Sequence, residues 1–318
     1  MPEWLVERGI GETRAALVDD GKIVEARIEL DGTIPSGSVI KARLANVGTN
    51  GRNAIAVSGA GVEYLLPRGA SRVTQGASLA IEVTRAAIPG AEPWKRPLAR
   101  PTDQPLQAAP LIDGREVSFP GPRDELSDYG WQDVIDQSRT GIVTFAGGEL
   151  RISPTPAMTL IDVDGYLAPA ELAGLGAAEA ARAIRRLDIG GSIGIDLPTV
   201  AGKAERQAIG EAIDTNLPKP FERTAMNGFG FVQIVRPRTR ASLIELAQDG
   251  AVFEARTLLR RAALEKAGAK RLVAHPAVIA VMEKQLEWVA ALSRQIGGPV
   301  GLRSEASLPI SGGYAENA

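Results

Sequence analysis

Two short apolar segments that each end in aspartate constrain this chain most. Residues 158–164 (MTLIDVD) and 191–196 (GSIGID) have the composition of buried strands, and the segment between them has helical spacing. A strand–helix–strand unit makes its two strands parallel neighbours. Strand residues two apart share a face, so Asp162 and Asp164 project together and Asp196 joins them from the next strand. The sequence therefore predicts an α/β core with three carboxylates where the chain leaves its sheet.

Three converging carboxylates suit a hard divalent cation such as Mg²⁺. Two ionised carboxylates about 4 Å apart repel by about 4 kcal/mol at an effective dielectric near 20, so without a cation one is driven towards protonation. A bound Mg²⁺ removes that cost and activates water against a phosphodiester. The alternative is that these aspartates cap helices or accept hydrogen bonds from loop amides, and the spacing alone does not choose between the two.

Composition excludes several other kinds of site. The chain has no cysteine, which removes disulfides, thiol nucleophiles and cysteine-based zinc sites. The chain has a single histidine, His275, which argues against a Ser-His-Asp triad, and we interpret it as a structural or surface residue. The net charge of −2 means that nucleic-acid binding requires local basic patches. The charged first residues and the lack of a long apolar run favour a cytoplasmic protein without membrane contact.

The remaining pattern predicts five segments. Residues 1–33 contain a hairpin that turns at Asp19-Asp20-Gly21, and 34–100 hold short strands typical of a small barrel, most commonly an OB-fold. Residues 101–130 are a proline-rich linker, 131–248 the α/β core, and 249–318 a small C-terminal α/β unit whose last residues we expect to fray. Within the core, helical spacing is carried by Ala177, Ala180, Ala181, Ile184 and Leu187.

The aspartate core closely resembles the catalytic core of the ribonuclease E/G family. The matching stretches are residues 161–164 (IDVD) and 185–196 (RRLDIGGSIGID), and weaker similarity follows at 14–19, 229–238 and 272–278. The resemblance implies a deoxyribonuclease-I-like core behind an OB-fold RNA-binding domain. It also implies that Asp162 and Asp196 hold one Mg²⁺; Mn²⁺ is the alternative cation, and the sequence does not choose between the two. The reaction would be endonucleolytic hydrolysis of single-stranded RNA that leaves 5′-phosphate ends.

The chain departs from the family pattern in several places. Asp164 stands where the family has an asparagine, which adds a charge and a possible third ligand to the catalytic group. The region of the family's 5′-end sensor is largely missing between barrel and core. Without cysteines the family's zinc link is absent, so a homo-oligomer would need another interface.

Candidate RNA contacts follow from the resemblance and from the charge pattern. The family's barrel phenylalanines are replaced by aliphatic residues near Ile55 and Leu65, and Tyr64 is the nearest aromatic. An arginine on the barrel, such as Arg43, could contact the RNA backbone or could only make the surface soluble. The arginines that follow Phe229, Arg236 and Arg238, could contact phosphates or could only protect an edge strand with their charge. A non-catalytic RNA-binding or ribosome-associated adaptor is the alternative for the whole protein. The predicted RNA-binding residues are Arg43, Tyr64, Lys95, Phe229, Arg236 and Arg238.

Overall fold

The computed structural model describes residues 1–50, 52–71, 73–90, 95–110 and 112–317 and shows a mixed α/β protein with a closed barrel. The chain begins with three antiparallel strands, β1 (Glu3–Arg8), β2 (Glu12–Asp19) and β3 (Lys22–Leu30). The predicted hairpin is confirmed. Asp20 and Gly21 connect β2 to β3 with φ of 47° and 73°, and two consecutive positive values are what a type I′ turn requires.

Five strands close the barrel in the order β4-β5-β6-β8-β7. They are β4 (Val39–Asn46), β5 (Ala54–Ser58), β6 (Glu63–Leu66), β7 (Ser78–Arg85) and β8 (Leu98–Pro101). Alternate residues such as Leu44, Leu66 and Ile81 face the interior and are fully buried. The predicted barrel is therefore confirmed. The sequence pattern did not single out the last of its strands, β8, which gains its partners β6 and β7 when the barrel closes.

The predicted linker also carries regular structure. It contains β9 (Arg115–Glu116), which pairs parallel to β1, and the short helix α1 (Glu125–Asp128). Helix α2 (Trp131–Thr140) follows and buries Trp131. Local periodicity does not reveal β9, because its pairing partner β1 lies at the start of the chain.

A six-stranded sheet, ordered β10-β11-β12-β13-β15-β14, forms the core. The predicted parallel pair β12–β13 lies at its centre, and the other neighbours are antiparallel. The elements are β10 (Ile142–Phe145), β11 (Gly148–Pro154), β12 (Thr159–Gly165), α3 (Pro169–Arg186), β13 (Gly191–Asp196), α4 (Lys203–Asn216), β14 (Glu222–Arg223) and β15 (Phe231–Arg236).

The two faces of this core sheet differ in burial. On one face Ile161 and Ile195 are completely buried, and helix α3 packs there through its small residues. The fit is close, because a Cβ on Gly176 would lie 2.3 Å from Val163. Each buried isoleucine contributes about 1.5–3 kcal/mol. The opposite face, which we call the open face, leaves Leu160 38% and Val235 54% exposed.

Helix α5 (Leu243–Gln248) packs on the core, and α6 (Gly250–Leu264) then leads into the three-stranded sheet of the C-terminal unit. The sheet has the order β17-β16-β18, and its last strand pairs with β16, so the expected fraying is wrong. Among the helices of the described residues, none is long and apolar enough to cross a membrane. The remaining elements are β16 (Lys270–Ala274), α7 (Pro276–Lys284), α8 (Leu286–Ile296), β17 (Val300–Ser304), a 3₁₀ turn (Ile310–Gly312) and β18 (Tyr314–Asn317).

His275 is an N-terminal helix cap, which confirms its structural interpretation. Its Nδ1 accepts a hydrogen bond of 3.1 Å from the backbone N–H of Ala277 in the first turn of α7. We expect His275→Ala to lower the free energy of unfolding by about 1 kcal/mol, because that N–H loses its partner, whereas His275→Asn should retain most of the stability. Urea unfolding of the three proteins measures the difference. Equal losses in both variants would contradict the capping role.

Candidate metal centre and nucleic-acid interface

The register of β12 and β13 brings two of the predicted carboxylates together. Asp162 lies directly opposite Asp196 on the neighbouring strand, and both are exposed on the open face. Neighbouring strands are about 4.8 Å apart, so one cation can contact both side chains. Asp164 lies on the same face two residues further along β12, a rise of about 6.6 Å. We call Asp162 and Asp196 the carboxylate pair.

The charges on the open face perturb the pKa of Asp162. Partial desolvation raises the pKa of this carboxyl, and the negative charges of Asp164 and Asp196 raise it further. A hydrogen bond with the backbone of Val163 and the positive charge of Arg151 oppose the rise. Asp162 therefore takes up a proton more readily than an ordinary aspartate when no cation is nearby.

A Mg²⁺ ion at the carboxylate pair would have two protein ligands rather than a complete protein cage. Within the described ranges, no three His, Cys, Asp or Glu side chains are arranged to hold a metal ion. Asp164 acts on Asp162 through its charge but does not complete such a group. Mg²⁺ usually keeps several waters and binds one or two carboxylates together with substrate phosphate, so two aspartates on an exposed sheet face are sufficient.

Strand β11 adds two charged residues that the sequence interpretation missed. Arg151 lies directly opposite Asp162, and Glu149 lies opposite Asp164. The two side chains form an ion pair of 2.6 Å, and that of Arg151 is 60% exposed. The alternation of polar and apolar residues in 148–153 (GELRIS) is a strand signal that would have placed both on one face.

Aromatic residues border the carboxylate pair on the side of β15. Phe231 is the strand partner of Asp196, and a Cβ on Gly194 would lie 2.4 Å from its ring. Glycine at position 194 therefore lets the Phe231 ring lie on the sheet. The predicted RNA contact Phe229 belongs to the turn before β15 and is 85% exposed. Tyr166, which the sequence interpretation missed, follows β12 and is also 85% exposed.

The barrel residues predicted to contact RNA have different positions. Arg43 is exposed on the outside of β4, as a backbone contact requires. The prediction for Tyr64 is wrong: the residue is 2% exposed in the barrel core, where burial raises the pKa of its hydroxyl. Position 64 alternates with the outward-facing Leu65, so its ring has no face free for a base. Lys95 donates a 3.3 Å hydrogen bond to the carbonyl of Pro156, beside the β11–β12 hairpin.

Arg236 and Arg238 are engaged in ion pairs away from the carboxylate pair. Arg236 donates to Asp188 at 3.3 Å and to the Ile189 carbonyl at 3.0 Å, and Arg238 pairs with Glu245. Arg236 lies five residues along β15 from Phe231, a rise of about 17 Å, and the odd spacing turns it to the opposite face. We therefore correct the predicted role of both arginines from phosphate contacts to structural ion pairs.

Comparison with known proteins leaves the family assignment open. The chain matches no family model, and no curated protein is significantly similar to it. The ribonuclease resemblance therefore remains a prediction.

Substitution of the charged neighbours of Asp162 should change its pKa, and this can be measured without an activity assay. We expect Asp164→Asn to lower the pKa of Asp162, because one of the negative charges that raise it is removed. Arg151→Gln should raise the same pKa, because a positive charge that opposes the rise is lost. Carboxyl-detected NMR titration of the metal-free protein measures both changes. Asp214→Asn on helix α4, which removes an ion pair with Arg223, is the control and should leave Asp162 unchanged. The charge assignment fails if neither open-face variant alters the titration.

Proposed function

We propose that the protein is a metal-dependent endoribonuclease that hydrolyses phosphodiester bonds in single-stranded RNA and leaves 5′-phosphate ends. The observation that carries this proposal is the register that sets Asp162 opposite Asp196 on the open face. The same two strands hold the segments that resemble the ribonuclease E/G family. The position of the two aspartates and the family resemblance therefore both support a catalytic site at the carboxylate pair.

The roles of the side chains follow from their charges. The carboxylate pair would hold Mg²⁺, which when bound neutralises phosphate charge and makes a water molecule a better nucleophile. The positive charge of Arg151 partly offsets the rise in the pKa of Asp162, and its exposed guanidinium can donate hydrogen bonds to a phosphate oxygen. Hydrolysis adds the water oxygen to phosphorus and breaks the bond between phosphorus and the 3′-oxygen. The 3′-oxygen takes up a proton, which leaves a 3′-hydroxyl and a 5′-phosphate.

The proposed function includes an RNA-binding barrel and a catalytic core of specific folds. The closed five-stranded barrel supports an OB-fold-like domain that contacts the RNA backbone through residues such as Arg43. The six-stranded sheet with its central parallel pair supports a deoxyribonuclease-I-like catalytic core.

Cleavage of an end-labelled A/U-rich single-stranded RNA in Mg²⁺ tests the proposal. We expect wild-type protein and Asp103→Asn, an exposed aspartate just after the barrel, to cut the RNA. Wild-type protein in EDTA and Asp162→Asn in Mg²⁺ should not. The products should be substrates for an exonuclease that requires a 5′-phosphate. Cleavage that persists in EDTA or in Asp162→Asn would contradict a metal site at the carboxylate pair.

An RNA-binding adaptor is the second candidate, and the barrel supplies the observation that favours it. Tyr64 is buried, and the neighbouring positions Ile55 and Leu65 are aliphatic, so these strands offer no stacking ring where the family carries phenylalanines. RNA binding without cleavage in Mg²⁺ or Mn²⁺ would favour the adaptor over the enzyme.

A further inference from the structure

Two aromatic side chains are far more exposed than folding requires. Tyr166 and Phe229 are each 85% exposed, whereas the next value among the described large hydrophobic residues, Met1 apart, is 67% for Leu286. Burying an aromatic ring contributes about 1.5–3 kcal/mol, which neither residue gains here. Both lie beside the catalytic carboxylates. Tyr166 comes two residues after Asp164, and Phe229 comes two residues before the strand partner of Asp196.

The backbone under Phe229 is held rigidly. The Oδ1 of Asn227 accepts hydrogen bonds from the N–H groups of Phe229 at 2.9 Å and Phe231 at 3.0 Å. Gly230 has φ of +91°, and its carbonyl accepts a 3.1 Å bond from Leu197, the residue directly after Asp196. A Cβ at position 230 would lie 2.1 Å from the Leu197 carbonyl, so this approach requires glycine. The turn therefore presents the Phe229 ring from a fixed backbone joined to the end of β13.

Tyr166 is presented in a similar way from the other side. Its N–H donates to the carbonyl of Gly147 at 3.1 Å, which ties it to the β10–β11 turn. On either side of it the chain is packed: a Cβ on Gly165 would lie 2.3 Å from the Gly147 carbonyl, and a Cβ on Gly147 would lie 2.1 Å from Leu167. The two rings are thus exposed on well-anchored chain rather than on loose loops.

The charge of the open face explains why uncharged contacts are needed there. Glu149, Asp162, Asp164 and Asp196 lie on this face together with Arg151, so a polyanion is not attracted by charge alone. Stacking of an unpaired base on an aromatic ring is attractive, independent of charge and tolerant of sequence. A duplex keeps its bases stacked on each other and cannot offer them in this way.

We propose that Tyr166 and Phe229 are stacking sites for unpaired bases on the two sides of the scissile phosphate. The proposal rests on the proposed ribonuclease function. It assigns the preference for single-stranded RNA to these two rings beside the carboxylate pair instead of to aromatics on the barrel.

The test measures binding and cleavage separately. Binding is measured with a single-stranded RNA that carries 2-aminopurine, on Asp196→Asn protein so that the RNA stays intact. Tyr166→Ala and Phe229→Ala should each weaken binding by about tenfold, which corresponds to a contribution near 1.4 kcal/mol within the range for base stacking. Tyr166→Phe and Phe229→Tyr retain a ring and should bind like the parent. Leu286→Ala, an exposed apolar residue in the C-terminal unit, is the matched control and should have no effect.

Abasic nucleotides locate the contacts. When the RNA lacks the base on one side of the cut site, kcat/KM of the wild-type protein should fall about tenfold. The alanine variant of the ring on that side has already lost this contact, so it should cleave the abasic RNA with the same kcat/KM as the intact RNA. Alanine variants that bind and cleave like wild type, or ring-retaining variants that fail equally, would overturn the stacking sites while leaving the ribonuclease intact. If wild-type protein binds RNA through both rings but never cuts it, the stacking sites stand and the proposed catalytic function fails.

Discussion

Asp196→Asn is expected to abolish RNA cleavage while leaving the fold intact. The change is nearly isosteric and lies on the exposed face, so the buried contacts of Ile195 are unaffected. It removes one of the two charges that would hold the cation. Because a metal ion contributes several kcal/mol to stabilising the transition state, the rate should fall on the order of a thousandfold or more. Single-turnover cleavage in Mg²⁺ measures the loss.

The same variant should be slightly more stable than wild type at pH 7 without metal. The pKa of Asp162 is raised in the folded protein, in part by the charge of Asp196. The folded state therefore binds this proton more readily than the unfolded chain, and stability present below the ordinary aspartate pKa of about 3.9 is lost as pH rises through the folded value. Relief of the repulsion should raise the free energy of unfolding by roughly 0.2–1 kcal/mol, a small gain because solvent screens exposed charges. Asp103→Asn should change neither rate nor stability. A destabilised Asp196→Asn protein would instead indicate a structural aspartate.

Arg260→Met is expected to cause the largest loss of stability. Arg260 on α6 donates two hydrogen bonds to Glu7 on β1, both 2.8 Å, and bonds of 2.9 Å and 2.6 Å to Asp124 before α1. The side chains of Arg260 and Glu7 are only 7% and 3% exposed. Glu7 is shared with the equally buried Arg14. Removing Arg260 leaves the buried carboxylate of Glu7 with Arg14 as its ion-pair partner and takes both arginine hydrogen bonds from Asp124, so the free energy of unfolding should fall by about 3–5 kcal/mol in urea titrations.

The pH dependence identifies the lost interaction. Burial disfavours the ionised form of Asp124, but hydrogen bonds from Arg260 and Ser127 outweigh it and hold the pKa of Asp124 below its ordinary value. A carboxyl with a depressed folded pKa adds stability above its unfolded pKa of about 3.9 and loses it as pH falls through the folded value. Wild-type protein should lose this contribution below about pH 4, whereas Arg260→Met should retain only the part that comes from Ser127. Arg123→Met removes an exposed ion pair with Asp128 and should cost less than about 1 kcal/mol. Equal effects of the two variants would show that burial is not the cause.

Local patterns predicted the parts of the fold that depend on near neighbours in the chain. The β2–β3 hairpin follows from an Asp-Gly turn, and α3 follows from alanines at helical spacing that are buried in the structure. The position of Asp162 beside Asp196 follows from a strand–helix–strand unit that spans few residues. The burial of Tyr64 could not be predicted in this way. The pattern of its strand fits either face turned towards the barrel interior, so the sequence does not decide whether Tyr64 or Leu65 faces inward.

By itself, the sequence determined the strand–helix–strand unit of β12, α3 and β13, the hairpin turn and the shared face of Asp162 and Asp164, because alternation, helical spacing and turn chemistry act over a few residues. Only the tertiary structure decided which charges surround those aspartates. The pairing of β11 with β12 brings Arg151 and Glu149 beside them. Arg236 lies an odd number of residues from Phe231 along β15, so it faces the opposite side of the sheet. Tertiary structure also joined Arg260 to Glu7 across 253 residues of chain. Such contacts form only when separate segments bury their surfaces against each other, and no local pattern records that pairing.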